Sequence, residues 1–177
     1  MRTSRIHHQV AVFCCAIALL LQMSPAMAGG QNDNDHHNRP VVITFTKWGA
    51  PPPANPPTPF FGLFEGFYND GPVGSFVAEV LWRQLSVNGH VNGLEALYEV
   101  VDGDRSFTAL IRGGSNAAGL GLLDGVIMAG WRTGARVQVE FQRYLAIPGA
   151  PSCEGAGVPM NKNCFVGTIH VGRAPQH

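Results

Sequence analysis

Hydrophobic and polar side chains alternate with a period of two along the central part of the chain. Near residue 140, apolar residues on one side alternate with polar residues on the other: Val137, Val139 and Phe141 against Arg136, Gln138, Glu140 and Gln142. The same phase recurs upstream: Leu94, Ala96, Tyr98 and Val100 against Glu95 and Glu99. Alternation of this kind is typical of a β-strand that has one face in a core.

Eight segments have strand character, and no stretch has convincing helical periodicity. The segments are residues 41–48, 60–68, 75–85, 94–101, 105–113, 119–131, 135–145 and 165–171. Turn-forming residues separate them, as in Asp102-Gly103 and Gly113-Gly114. Short strands at this spacing predict an all-β fold, either a single antiparallel barrel of about eight strands or a β-sandwich.

The glycine content favours the barrel over the sandwich. The chain has 22 glycines, and several lie inside predicted strands, where a residue without a Cβ allows a sharp bend. Such bends favour a sheet that curls into a closed barrel, which also removes exposed strand edges. We therefore expect one barrel domain over residues 41–173, with the sandwich as the alternative.

Residues 1–28 have the three parts of a secretory signal peptide. Two arginines precede an apolar run over residues 10–21, and an A-x-A cleavage site ends at Ala28. The apolar run is too short for a membrane span, which needs about 20 residues. We expect export to the periplasm or the extracellular space, no membrane association after cleavage, and a disordered polar leader over residues 29–40.

Charge and cysteine content narrow the possible partners and predict a disulfide. The chain has 12 basic and 12 acidic residues, so it lacks the net positive charge that would attract a nucleic acid. Cys153 and Cys164 are the cysteines that remain after cleavage, and in an oxidising compartment they are expected to form a disulfide. A metal pair is the alternative, but neither cysteine has a histidine or a second cysteine nearby, so no metal site is expected.

Candidate chemistry must come from individual polar residues, because the chain contains no G-x-S-x-G, H-E-x-x-H or P-loop motif and no cofactor is expected. Polar groups on otherwise apolar faces are informative, since burying them is costly unless they are paired. Glu65 and Asp124 are the candidate acid–base carboxylates, and Arg112 could reach a buried carboxylate. Tyr98 and Trp82, with Arg112, are the candidate ligand-binding residues. A structural ion pair, or a wrong face assignment at a bulge, is the alternative for the carboxylates.

The segments SFTALIRGG, LDGVIMAGWRTGARVQVEF and CFVGTIHV resemble small secreted barrel proteins of the allene oxide cyclase and dirigent group. The resemblance is one of pattern and covers slightly more than the C-terminal half of the chain. It implies an eight-stranded barrel with a glycine-rich penultimate hairpin. No catalytic or substrate-binding residue of the group can be transferred to a position here. Because the group includes both cyclases and proteins that steer radical coupling, the resemblance leaves the activity open.

Three functions of different classes are compatible with this sequence. The first is an exported barrel that binds a small apolar or aromatic molecule in its lumen, with Tyr98, Trp82 and phenylalanines as walls. The second is an isomerase or cyclase on the same barrel that uses Glu65 or Asp124. The third is a structural or protein-interaction domain with a solidly packed core. We favour binding, because no reacting constellation of residues is visible, and the oligomeric state stays open.

Overall fold

The computed structural model describes residues 39–68 and 74–175, which form one antiparallel barrel. Its strands are β1 (Val41–Ala50), β2 (Leu63–Tyr68), β3 (Gly74–Leu85), β4 (Val91–Val101), β5 (Phe107–Ser115), β6 (Leu120–Gly130), β7 (Arg136–Tyr144) and β8 (Cys164–Val171). A single 3₁₀ turn, Gly103–Arg105, joins β4 to β5. The predicted signal peptide lies outside the described residues, as does the predicted leader except for its last two residues, 39 and 40.

Each strand pairs with its neighbour in sequence, and the barrel closes because β8 pairs with both β7 and β1. Ile169 of β8 lies opposite Val139 of β7 on one side and opposite Ile43 of β1 on the other. The sequence-based prediction of an eight-stranded antiparallel barrel is therefore confirmed, and the sandwich is excluded. Among the described residues there is no helix with the length and apolar character needed to cross a membrane.

The apolar side chains of the alternating pattern in the central strands point into the lumen. Ala96, Tyr98 and Val100 of β4 are buried, and so are Val137 and Val139 of β7. Polar residues that alternate with them, such as Glu99, Gln138 and Glu140, are exposed. Inward side chains from all eight strands form one continuous core cluster, as burial of apolar surface requires in a small barrel.

Glycines occur where neighbouring strands approach most closely. A Cβ added to Gly125 would lie 2.1 Å from the carbonyl oxygen of Leu110, and one added to Gly66 would lie 2.0 Å from that of Thr46. Because both obstacles are backbone atoms, no side-chain movement could relieve either clash. Glycine at these positions therefore permits the strand bends that barrel closure needs.

The face predicted for Trp82 is wrong, because β3 contains a register irregularity. Val80 pairs with Ala96, whereas Trp82 pairs with Glu95, so Leu81 has no partner of its own on β4. An extra residue of this kind reverses the side-chain phase beyond it. Trp82 consequently lies on the outer face, where it is 48% exposed, and its ring lies against Gly93.

Candidate functional site

One end of the barrel contains a cavity of about 570 Å³. All strands except β6 contribute to its walls, with apolar side chains that include Phe64, Val80, Leu94, Phe141 and Phe165. Toward the opposite end the lumen is filled, since Phe45 and Phe76 stack with their ring centroids 5.1 Å apart. The barrel is thus packed in one part and hollow in the other.

Lys47 is the residue that sets this cavity apart from an ordinary apolar pocket. It follows Ile43 and Phe45 on the inward face of β1 and is only 5% exposed. Its pairing partner on β2 is Gly66, which has no side chain, and its partner on β8 is Phe165. The strand phase therefore directs a lysine side chain into the lumen.

Six aromatic rings surround the Lys47 amine. Its Nζ lies 4.3 Å from the ring centroid of Tyr98. The other five rings have their centroids 5.3–5.9 Å from Nζ, and they belong to Phe45, Phe64, Phe76, Phe141 and Phe165. Ring faces at such distances favour the ammonium form, by about 2 kcal/mol or more for a desolvated contact.

Burial acts in the opposite direction and favours the neutral amine. An ammonium withdrawn from water loses several kcal/mol of hydration, and the residues lining the cavity include no Asp or Glu. Burial consequently lowers the pKa of Lys47 from 10.5 to about 7. A large fraction of the molecules then carries a neutral, nucleophilic amine at neutral pH.

Tyr98 is the only polar partner of this amine in the described structure. Lys47 Nζ donates a hydrogen bond to Tyr98 Oη, and both residues line the cavity. Burial raises the pKa of the Tyr98 phenol, so the phenol stays protonated over the whole neutral range. The site therefore combines a weakly basic amine with a hydroxyl that can donate or relay a proton.

Basic side chains lie at the open end of the cavity. Arg83 of β3, Arg143 of β7 and Lys162 of the β7–β8 loop contribute to its lining. None of the three forms an ion pair with another residue in the described ranges. The mouth therefore presents unpaired positive charge above an apolar wall.

The disulfide fixes the loop that carries Lys162. Cys153 and Cys164 are bonded, with Cα atoms 6.0 Å apart, so the predicted pairing is confirmed. The two asparagines beside Lys162 also hold the loop in place. Asn161 accepts a hydrogen bond from the Gly149 amide and Asn163 accepts one from the Ala146 amide, each at 2.8 Å. One side of the mouth is thus a covalently restrained loop.

The predicted acid–base carboxylates do not reach this site. Glu65 and Asp124 are both exposed on the outer face of the barrel, so the expectation that they face the lumen is wrong. Glu65 pairs with Trp48 and Val77, which also point outward, and the apolar residues that share its face, such as Leu63 and Phe67, lie on the outer side with it. The face assignment is wrong for both residues, but a bulge is not the reason, since the pairing register is continuous through Glu65 and through Asp124.

Of the predicted ligand-binding residues, only Tyr98 lies in the cavity. Arg112 is exposed on the outer face, and its Nε donates a hydrogen bond to Glu95 Oε2 at 2.5 Å across β4 and β5. Such an exposed pair contributes little to stability. Arg112 therefore pairs with a carboxylate outside the barrel rather than with Glu65 or Asp124.

Sequence reasoning overlooked Lys47, although a signal for it was present. In the first strand, Ile43, Phe45 and Lys47 share one side of the alternation, so the lysine occupies a position that the pattern marks as inward. The chain has only two lysines, Lys47 and Lys162, and a lysine on an apolar strand face is rare without a function or a partner.

The described residues contain no group of three or more His, Cys, Asp and Glu side chains that could hold a metal ion. Comparisons with protein families, with curated proteins and with solved structures find no match for this chain.

Proposed function

We propose that this protein is an exported, single-domain β-barrel that binds a small molecule with an apolar or aromatic body in its lumen. The single observation that carries the proposal is the cavity whose inner end holds the Lys47–Tyr98 pair. Its volume of about 570 Å³ falls within the range of small-molecule pockets. An apolar wall with a few convergent polar groups is the usual composition of such a pocket.

The charges at the mouth favour a ligand that also carries a negative group. Arg83, Arg143 and Lys162 would attract an anion, because the cavity lining contains no carboxylate to neutralise them. A carboxylate at the outer end of the ligand could pair with the two guanidinium groups, while the apolar body enters the lumen. We therefore place the ligand's anionic end at the mouth and its uncharged end beside Lys47.

Two features support export and a relationship to the allene oxide cyclase and dirigent group. The Cys153–Cys164 disulfide suits an oxidising compartment, which an N-terminal secretory signal would provide. An eight-stranded barrel is also what a relationship to the allene oxide cyclase and dirigent group would require. On this proposal, the shared feature is a lumen that holds an apolar molecule.

The two other functional classes make different demands on the barrel. An isomerase or cyclase would have to use Lys47 and Tyr98, because Glu65 and Asp124 are exposed outside. A purely structural barrel would leave the hollow end and the buried amine without a purpose, although a buried amine with no carboxylate beside it destabilises the fold when it is protonated.

Calorimetric titration with naphthoate, an aromatic carboxylate, tests the binding function. We expect one molecule to bind per chain, more weakly at high salt because the charges at the mouth are screened. Val80 lines the cavity, whereas Val42 is on the outer face and 49% exposed. Val80→Trp should weaken binding by about tenfold or more, a loss of about 1.4 kcal/mol, and the matched control Val42→Trp should leave it unchanged. Equal affinities in the two variants, or no binding to the wild type, would contradict the proposal.

A further inference from the structure

We propose that Lys47 forms a covalent imine with an aldehyde or ketone group of the bound molecule, with Tyr98 as the proton donor and acceptor for the reaction. This inference rests on the proposed binding function and specifies the chemical group that the ligand places at the inner end of the cavity. The surroundings of the Lys47 amine support it in three ways: access, protonation state and a proton partner.

Access is provided by the cavity itself. Lys47 is 5% exposed yet lines the cavity together with Tyr98 and Phe165. A ligand that fills the cavity therefore contacts Lys47, whereas solutes outside the barrel do not. Aromatic walls exclude bulk water, which would otherwise hydrolyse an imine.

The protonation state suits nucleophilic attack. Only a neutral amine has the lone pair that adds to a carbonyl carbon, and an ordinary lysine with a pKa of about 10.4 is almost entirely protonated at neutral pH. Desolvation in an apolar pocket is one of the established ways to activate a lysine for imine formation. Nearby carboxylates would restore the charge, and the residues lining this cavity include none.

Tyr98 supplies the proton transfers that the reaction needs. The Nζ lone pair forms a bond to the carbonyl carbon, and the carbonyl π electrons move to oxygen, which takes a proton from Tyr98 Oη. The nitrogen returns a proton to the phenolate, which leaves a neutral carbinolamine. A second transfer from Tyr98 releases the hydroxyl as water while the nitrogen lone pair closes the C=N bond, and loss of the last N–H proton restores the phenol. The sum is amine plus carbonyl giving imine plus water, without oxidant or reductant.

The composition of the chain provides a matched control for the test. Its only two lysines are Lys47 and Lys162, and both contribute to the same cavity, one at the inner end and one at the exposed mouth. Any selectivity of an aldehyde for Lys47 over Lys162 therefore reports the chemistry of the inner site.

The experiment is to trap the imine with naphthaldehyde and sodium cyanoborohydride, which reduces an imine to a stable secondary amine. The purified full-length protein is then digested and the modified residues are located by mass spectrometry. Besides the N-terminal α-amino group, whose pKa of about 8 also permits labelling, we expect one naphthylmethyl group on Lys47, formed at least about tenfold faster at pH 7 than on Lys162. Naphthalenemethanol, which has the same body but no carbonyl, should protect Lys47.

Variants separate the amine from the proton donor. Lys47→Met should abolish the adduct, and Lys162→Arg should leave it unchanged. Tyr98→Phe should slow trapping about 100-fold while Lys47 remains the labelled residue, since a positioned general acid contributes about that much. Preferential or equal labelling of Lys162 in the wild type would overturn the proposal, and this result requires no variant to fold.

Failure of this inference and failure of the binding function give different results. If the wild type and Lys47→Met both bind naphthoate but Lys47 is never labelled, the imine is excluded and the binding function stands. If the wild type binds neither naphthoate nor naphthalenemethanol and Lys47 is not labelled, both proposals are wrong.

Discussion

The strand pattern, the packing of the lumen and the proposed imine chemistry all involve Lys47. The alternation of β1 directs it inward, the absence of a side chain at Gly66 opposite leaves room for it, and six rings enclose its amine. A buried amine without a carboxylate partner destabilises the folded state whenever the amine is protonated. The imine chemistry proposed above gives the neutral form of this amine a use.

The lowered pKa of Lys47 predicts how stability depends on pH. Burial lowers the pKa from 10.5 to about 7 in the folded state, so between these values the unfolded chain binds a proton that the folded chain lacks. Stability must then rise with pH above about 7, by at most about 1.4 kcal/mol per pH unit. Below pH 7 the amine is protonated in both states and the full penalty is present.

Urea unfolding of wild type and Lys47→Met at several pH values measures this effect. Between pH 7 and pH 9 the wild type should gain about 2–3 kcal/mol relative to the methionine variant. Both proteins contain the same other titrating groups, so the contributions of those groups cancel in the difference between the two free energies of unfolding. A constant difference across this range would contradict the lowered pKa.

At the residue scale, the predictions that failed have a common physical cause. Glu65 and Asp124 are predicted to face the lumen because the other residues on their strand faces are apolar, and Arg112 is predicted as their partner. Outer-face residues such as Leu122 and Met128 are also apolar, however, and are 51% and 56% exposed. Exposed apolar residues are common on folded proteins. An apolar strand face therefore identifies the inner side only where the opposite face is polar, as it is for Tyr98, which alternates with Glu95 and Glu99.

At the scale of the elements, strand positions were predictable and strand irregularities were not. All eight strands occur close to their predicted positions, because alternation and turn residues are local properties of the chain. The bulge at Leu81 depends on how β3 pairs with β4, and no local pattern specifies such a pairing. That irregularity alone moved Trp82 from the predicted lumen wall to the outer surface.

Glycine positions within strands provide a test of barrel closure. Gly125→Ala should cost about 1–3 kcal/mol or more, because the added methyl group meets the Leu110 carbonyl oxygen at 2.1 Å. Gly49→Ala is the matched control, since a Cβ there meets no atom within 4 Å. Thermal and urea unfolding should show a large loss for the first variant and almost none for the second, and equal losses would count against this account of the bends.

The β7–β8 loop offers a second test at this scale. Reducing the Cys153–Cys164 bond, which closes a loop with a sequence separation of 11, should lower the free energy of unfolding by about 2–3 kcal/mol on the chain-entropy model. Amide hydrogen exchange in residues 146–163 should accelerate, while exchange in β4 and β7 should not. The stability of the double variant Cys153→Ser and Cys164→Ser should not change when the reductant is added. A change would show that the reductant lowers stability by some route other than this disulfide.

For the whole molecule, closure of the barrel creates both the packed end and the hollow end. The fold class followed from the sequence, because eight short strands rich in glycine have few ways to bury their apolar faces. The cavity could not be predicted in the same way, because an empty volume depends on which inward positions hold small residues opposite large ones. Ala78 and Ala96 leave space beside Val80, whereas Phe45 and Phe76 fill the lumen below.

The most direct test of the central claim is an NMR titration of protein labelled with carbon-13 at the lysine ε position. Because the chain has two lysines, the spectrum should contain two lysine signals, and Lys162→Arg assigns them. We predict that the Lys47 signal titrates with a midpoint near the lowered pKa of about 7 and shifts when naphthoate is added. A Lys47 signal that titrates at the ordinary lysine value of about 10.4 and ignores saturating naphthoate would contradict both the buried amine and the binding lumen.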